Sequence, residues 1–210
     1  MGRRQIAKNT FFLYVRILVT IVVSLYTSRV ILQVLGAEDF GIYNLVAGVV
    51  ILFSFLSNAM ITATQRYLSI AIGKKDEKYI QAVFSTSLLS HFFLIFFIFL
   101  AAETIGLWLI NAKLEIPADR MSATNFVYQL AILTTCVNII RIPYNASIIA
   151  NERMSFFAYV SIVETFLKLA VVWALAITPG DKLVIYSFLL LLVAIVIDIA
   201  YWYYCQRFLL

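Results

Sequence analysis

The sequence predicts an all-α integral membrane fold, a bundle of six transmembrane helices within residues 1–210. Three observations support this prediction: 63% of the residues are hydrophobic, only 13% are charged, and the apolar residues fall into six long runs. Soluble domains are about 45–50% apolar and about 25% charged, so the composition excludes a water-soluble globular protein and a disordered chain. One bilayer crossing takes about 20 apolar residues, and about six crossings with their connections use this length.

The predicted spans cover residues 10–34, 41–72, 80–102, 123–150, 156–178 and 183–205. Gly36 and the acidic residues after it favour a turn between the first two spans. Charged residues at 73–78 separate the second span from the third, and a Pro-Gly-Asp turn at 179–181 precedes the sixth. The longest connection, residues 103–122, mixes apolar with charged residues and suits an interfacial segment. The second span is long for an upright helix, so we expect it to tilt or to project past the bilayer.

Basic residues are distributed unevenly between the two sets of span ends. The cytoplasmic ends of membrane spans usually carry the excess of Lys and Arg. The side that holds the N-terminus has eight such residues and the opposite side has three, so we expect both termini in the cytoplasm. The eight are Arg3, Arg4, Lys8, Lys74, Lys75, Lys78, Arg153 and Arg207, and the three are Lys113, Arg120 and Lys182.

Charged residues also lie inside the predicted spans, namely Arg16, Arg141, Glu164, Lys168 and Asp198. A charge at the bilayer centre costs about 2.5–3.5 kcal/mol on insertion scales, so such residues usually face the bundle interior or a watery cavity. Four of them lie about 10–13 Å from the cytoplasmic end of their span, and Lys168 lies one turn deeper. We therefore expect one charged layer with three positive and two negative residues. Its net positive charge suits an anionic headgroup that enters from the cytoplasm.

Polar residues recur at helical spacing on three of the spans. The stripes are Arg16, Thr20, Ser24 and Thr27 on the first span, Ser54, Asn58, Thr62, Gln65 and Ser69 on the second with Arg66 on their flank, and Thr134, Asn138, Arg141 and Asn145 on the fourth. Polar stripes are unfavourable on a lipid-facing surface, so we expect them to face one another or water. The candidates for a substrate-binding cavity are therefore Arg16, Arg66, Arg141, Asn58, Asn138 and Asn145.

The charges inside the spans have structural interpretations as well. Glu164 and Lys168 are four residues apart on one helix face, so they form either a structural ion pair or a pair that couples an ion to transport. Asp198 either pairs with a neighbouring cation or takes part in the same coupling. Arg16 either faces the cavity or extends its long stem to the cytoplasmic interface.

The sequence offers little for enzyme chemistry. It has no Gly-x-x-x-x-Gly-Lys loop for a nucleotide, and its single histidine cannot supply a zinc-protease motif. Its two cysteines, Cys136 and Cys205, lie in apolar runs without metal-ligand or disulfide spacing. We therefore expect no enzyme activity, no metal and no cofactor. The net charge of +5 comes mostly from basic residues at the span ends, so we expect no nucleic-acid partner.

Five short stretches together resemble one family of transporters. They are NTFFLYVR at residues 9–16, SLYTSR at 24–29, LGAEDFGIY at 35–43, RIPYNA at 141–146 and NERMSF at 151–156. In this order they are similar to bacterial polysaccharide, or O-antigen (lipopolysaccharide), flippases of the multidrug/oligosaccharidyl-lipid/polysaccharide exporter superfamily. The resemblance covers essentially the whole chain, and its most specific part is the Leu-Gly-x-x-x-Phe-Gly-x-Tyr turn.

The resemblance implies two six-helix lobes, of which this chain supplies the N-terminal one. It implies a polyprenyl-pyrophosphate-linked oligosaccharide as substrate, held in a cationic cavity of the bacterial cytoplasmic (inner) membrane and moved by alternating access with ion coupling. Arg16 and Arg66 resemble cavity-facing cations of the family, whereas Arg141 is chosen for its polar stripe. The missing C-terminal lobe or a second copy would complete the transporter. A multidrug-type exporter lobe and a non-transporting scaffold of a polysaccharide assembly complex stay open as alternatives.

Overall fold

The computed structural model describes the backbone of residues 3–208 and the side chains of residues 9–52 and 60–208. Every regular element in this part of the chain is helical, which confirms the predicted all-α fold. The elements are α1 (Arg3–Lys74), α2 (Glu77–Ala101), a π-helical turn (Ala102–Gly106), α3 (Leu107–Ala112), α4 (Met121–Ala150), α5 (Met154–Ile177) and α6 (Lys182–Phe208).

Gly36 interrupts α1 with backbone angles of φ 82° and ψ 169°. This region of backbone space is open almost only to glycine. Gly36 therefore divides α1 into two helical parts, which we call the first arm (residues 3–35) and the second arm (residues 37–74). The reversal that the sequence predicts over several residues is made by this glycine, and Asp39 already belongs to the second arm.

Ring contacts on either side of Gly36 show that the chain reverses there. In the first arm, Phe12 packs against Tyr159 in an early turn of α5, with ring centres 5.6 Å apart. In the second arm, Tyr43 packs against Tyr186 in an early turn of α6, at 5.1 Å. Lys182, the first residue of α6, donates a hydrogen bond of 3.4 Å to the Val34 carbonyl, so the first arm ends where α6 begins. Tyr186 lies one turn further into the bundle, so the second arm runs back alongside α6, in the direction opposite to the first arm. The described chain therefore passes six times through the bundle.

The helices have the length and composition of membrane spans. Among the described residues, five segments qualify: Asn9–Leu52, Glu77–Ala112, Met121–Ala150, Met154–Ile177 and Lys182–Phe208. The first of these segments contains Gly36 and so includes parts of both arms. Many Phe, Leu and Ile side chains are exposed on the bundle, which suits a surface in contact with lipid. The chain is accordingly a multi-pass membrane protein.

Helical structure extends further along the third pass than the sequence indicates. The π-helical turn leads directly into α3, so the non-helical part of the connection begins only after Ala112. The buried Tyr128 hydroxyl of α4 donates a hydrogen bond of 2.8 Å to the Ala102 carbonyl in that turn. This contact fastens the turn to α4. The sequence does not reveal it, because the two residues are 26 positions apart.

The helix α4 lies at the centre of the bundle and packs against α1, α2 and α6. Its buried side chains include Tyr128, Ile132, Ile139 and Ile148. Pro143 lies within α4, and the helix continues beyond it to Ala150. Because α4 touches several helices, a polar side chain on it can meet partners from more than one of them. Arg141 is one such side chain on α4.

Candidate functional site

Three of the predicted residues form a charged cluster between α4 and α5: Arg141, Glu164 and Lys168. Arg141 Nη1 donates to Glu164 Oε2 at 3.2 Å, and Lys168 Nζ donates to Glu164 Oε1 at 2.7 Å. The side chains of Arg141 and Glu164 are 17% and 21% exposed, whereas that of Lys168 is 48% exposed. Each carboxylate oxygen of Glu164 thus holds one cation, and Lys168 is the most accessible member.

Both local and long-range features build this cluster. The helix α5 places Glu164 and Lys168 one turn apart, in the order that favours an ion pair. The helix α4 brings Arg141 to Glu164 across 23 positions of sequence. Asn138, one turn before Arg141, accepts a second hydrogen bond from the guanidinium at Nη2. Two acceptors therefore fix the direction of the Arg141 side chain.

A cavity of about 320 Å³ opens beside the charged cluster, between the first arm and α5. Its lining consists of Arg16, Ile17, Thr20, Ile21, Ser161, Glu164, Thr165 and Lys168. The Arg16 guanidinium lies 4.6 Å from the centre of the Phe157 ring, a favourable contact between a cation and an aromatic face. Two cations and one carboxylate therefore line the same volume, which we call the charged cavity.

The helix α6 adds a second carboxylate near Arg141. The Arg141 guanidinium lies 5.7 Å from the ring of the buried Tyr201. Asp198, one turn earlier on α6, interacts electrostatically with Arg141. Oδ1 of Asp198 and Oδ1 of Asn145 are buried without a hydrogen-bond partner among the described residues. The five charges of the predicted layer thus lie around one region, built from the first arm, α4, α5 and α6.

The two other predicted cavity residues lie on the second arm. Arg66 is exposed there, and no described contact joins it to the charged cluster. Asn58 is outside the residues whose side chains the structure describes. Thr134, from the polar stripe of the fourth span, lines a separate cavity of about 190 Å³ together with Tyr43 and Ser187. Arg66 and Thr134 therefore lie outside the lining of the charged cavity.

A second charged cluster, at the opposite end of the bundle, was not predicted from the sequence; we call it the clasp. It consists of Arg120 before α4, Asp39 near the start of the second arm and Asp181 before α6. Asp181 Oδ1 also accepts from the backbone N–H of Leu183 at 3.1 Å, which caps α6. Burial by itself lowers the pKa of Arg120, but hydrogen bonds and charges of the two carboxylates outweigh it, so the pKa is raised. In the sequence, the only signal is that each carboxylate lies close to a predicted turn.

No family model, no curated protein and no solved structure matches this chain. Fold and site by themselves define a multi-pass helical membrane protein with a charged cavity among its apolar helices. Among the described residues, no three His, Cys, Asp or Glu side chains are grouped so that they could hold a metal ion. The chemistry that the charged cavity offers is electrostatic binding of an anionic group through Arg16 and Lys168.

Proposed function

We propose that this chain is one lobe of a flippase that moves a lipid-linked oligosaccharide across the bacterial cytoplasmic membrane during cell-surface polysaccharide biosynthesis. The observation that supports the proposal most is the charged cavity: Arg16 and Lys168 line it against a single carboxylate, Glu164. Charges within membrane spans are costly and usually mark a substrate or ion pathway. The resemblance of five sequence stretches to polysaccharide flippases supplies the substrate class.

In this proposal, the pyrophosphate binds in the charged cavity while the prenyl tail stays in lipid. Arg16 can donate two parallel hydrogen bonds to phosphate oxygens, and Lys168 supplies a mobile point charge. The hydroxyls of Thr20, Ser161 and Thr165 line the same cavity and can bind oxygens of the headgroup or the first sugar. A volume of about 320 Å³ suits a pyrophosphate rather than a whole oligosaccharide. The remaining sugars would therefore lie against a second lobe or a second copy of the chain.

The test compares Arg16→Gln with a matched control, Arg29→Gln. Both arginines are on the first arm, but Arg29 is exposed and lies on the opposite face. Purified protein in nanodiscs is titrated with a polyprenyl-pyrophosphate-linked oligosaccharide, and flipping of the same lipid is followed in proteoliposomes. We expect Arg16→Gln to weaken binding about tenfold, as for loss of a charged hydrogen-bonding partner, and Arg29→Gln to leave it unchanged. Equal binding by all three proteins would contradict the proposal.

A non-transporting scaffold is the second candidate, and one observation favours it. Arg141, Glu164 and Lys168 already satisfy one another, as residues of a purely structural cluster would. If flipping stays intact when Arg16 and Lys168 are both neutralised, the scaffold becomes the better interpretation. Tighter binding of amphipathic drugs than of the pyrophosphate lipid would instead favour a multidrug-type exporter lobe.

A further inference from the structure

Glu164 occupies the place that an anionic headgroup would take. Its two carboxylate oxygens contact Arg141 at 3.2 Å and Lys168 at 2.7 Å, one cation on each oxygen. A bridging phosphate would use its oxygens in the same manner. Glu164 also lines the charged cavity beside Arg16, which has no carboxylate partner among the described ion pairs. An anion that bridges Arg16 and Lys168 must therefore compete with Glu164 for Lys168.

We propose that Glu164 acts as a resident anion that selects headgroups by their charge. It is thus a specificity-determining residue: it keeps singly charged phospholipids out of the cavity and admits pyrophosphate lipids. This inference rests on the proposed function, because it assigns a role within the same substrate site. The role of Glu164 would also account for how the cavity discriminates its substrate from the surrounding phospholipids.

The two kinds of lipid differ in how they change the charge of the cluster when they displace Glu164. When a phosphodiester with one negative charge displaces the Glu164 carboxylate from Lys168, an anion of the same charge takes its place. The electrostatic attraction to Lys168 therefore does not increase. Glu164 also loses one of its two cations and keeps only Arg141, which costs free energy because the carboxylate is largely buried. A pyrophosphate brings at least one further negative charge and a second phosphate group, so it can bind Lys168 and Arg16 together. Only the pyrophosphate therefore gains attraction beyond what Glu164 already supplies.

Competition of this kind matters because the site is open to the membrane. Lys168 is 48% exposed although it lies within an apolar helix. Anionic phospholipids attract basic residues near the membrane surface and would otherwise meet this accessible cation at high local concentration. In this proposal, the resident anion reduces the binding of these lipids at Lys168.

The experiment measures two affinities for each protein in detergent micelles, by native mass spectrometry or fluorescence titration. The probes are a polyprenyl pyrophosphate and phosphatidylglycerol, with phosphatidylcholine as the uncharged reference. Glu164→Gln removes the resident charge, and Glu164→Asp keeps it. The matched control is Glu103→Gln, which removes a carboxylate from the π-helical turn, where Glu103 Oε2 accepts from Gln129 at 3.2 Å.

We expect the unmodified protein to prefer the pyrophosphate by about tenfold or more, which corresponds to the net effect of one close charge pair. Glu164→Gln should bind phosphatidylglycerol more tightly and reduce that preference to about twofold. Glu164→Asp and Glu103→Gln should keep the preference of the unmodified protein.

The outcomes separate the two proposals. If the unmodified protein does not bind the pyrophosphate, the proposed function fails and the role of Glu164 fails with it. If it binds with a preference that Glu164→Gln leaves unchanged, only the role of Glu164 is overturned. If Glu164→Gln does not fold, the double variant Arg141→Gln with Glu164→Gln, which leaves no unpaired arginine, decides the matter: a reduced preference for pyrophosphate supports the role of Glu164, and an unchanged preference overturns it.

Discussion

Arg120 and Asp181 form a two-point ion pair, with Nη1 to Oδ2 at 2.9 Å and Nη2 to Oδ1 at 3.3 Å. The pair joins the start of α4 to the turn before α6, and the same guanidinium reaches Asp39 in the second arm. The clasp therefore fastens three elements at the end of the bundle that is remote from the charged cavity. Since Gly36 reverses the chain next to Asp39, the clasp also holds the second arm in place after the reversal.

We expect Arg120→Gln to lower the stability of the bundle by about 1–3 kcal/mol, between the values for exposed and buried ion pairs. The change leaves two carboxylates close together without their shared cation. The control is Lys113→Gln, because Lys113 is exposed in the same connection and the described contact of its side chain is with the Trp108 ring. Thermal unfolding in detergent measures both variants. Equal unfolding temperatures for the two would show that the clasp contributes nothing.

The features that the sequence predicts well are local ones. Helical spacing places Arg16 and Thr20 on one face of the first arm, and both line the charged cavity. Glu164 and Lys168 are four residues apart, so an ion pair is one of the two interpretations of these residues. The structure contains that ion pair. These features follow from the helical repeat of about 3.6 residues, so they need no knowledge of which helices are neighbours.

The contacts between helices could not be predicted from the sequence. The ion pair of Arg141 with Glu164 spans 23 positions, and that of Arg120 with Asp39 spans 81. Periodicity determines which face of a helix is polar, but the partner of that face depends on how the whole bundle docks. The same reason applies to Arg66: it lies on the flank of a polar stripe, and yet no described contact places it beside Arg16.

Gly36→Ala tests the reversal itself. We expect it to destabilise the bundle by about 1–3 kcal/mol, because an alanine is strained at a φ of 82°. A Cβ at this position meets nothing within 4 Å, so any loss comes from the backbone and not from a clash. Gly48→Ala is the matched control: its Cβ also meets nothing within 4 Å, and its backbone is helical. There we expect a gain of about 0.5–1 kcal/mol. Similar unfolding temperatures for both variants would rule out strain at Gly36.

Arg66→Gln tests whether Arg66 binds substrate, because the sequence and the structure lead to different expectations for this residue. The sequence resemblance predicts that Arg66 binds substrate together with Arg16. In the structure it is exposed on the second arm, outside the lining of the charged cavity. We therefore expect Arg66→Gln to change the affinity for a polyprenyl pyrophosphate by less than about twofold, against about tenfold for Arg16→Gln. Titration in nanodiscs measures both. Equal losses would mean that Arg66 reaches the same headgroup.

The side from which the headgroup enters depends on the orientation of the chain. The charged cavity lies beside the middle turns of α5, and Arg16, which lines it, contacts Phe157 on the side toward the end that holds the N-terminus. We expect this end in the cytoplasm, because it carries the excess of basic residues. Single cysteines at the exposed positions Lys75 and Lys113 test this in cells, after replacement of the two native cysteines.

A membrane-impermeant maleimide should label Lys113→Cys in cells whose cytoplasmic membrane is intact. It should label Lys75→Cys only after that membrane is opened. This pattern would place the charged cavity within reach of lipids in the cytoplasmic leaflet, where lipid-linked oligosaccharides would have to be loaded for export. The reverse pattern would put the Arg16 side of the cavity toward the outside. Arg16 and Lys168 would then act in release or uptake of the headgroup, and the proposed direction of transport would be wrong.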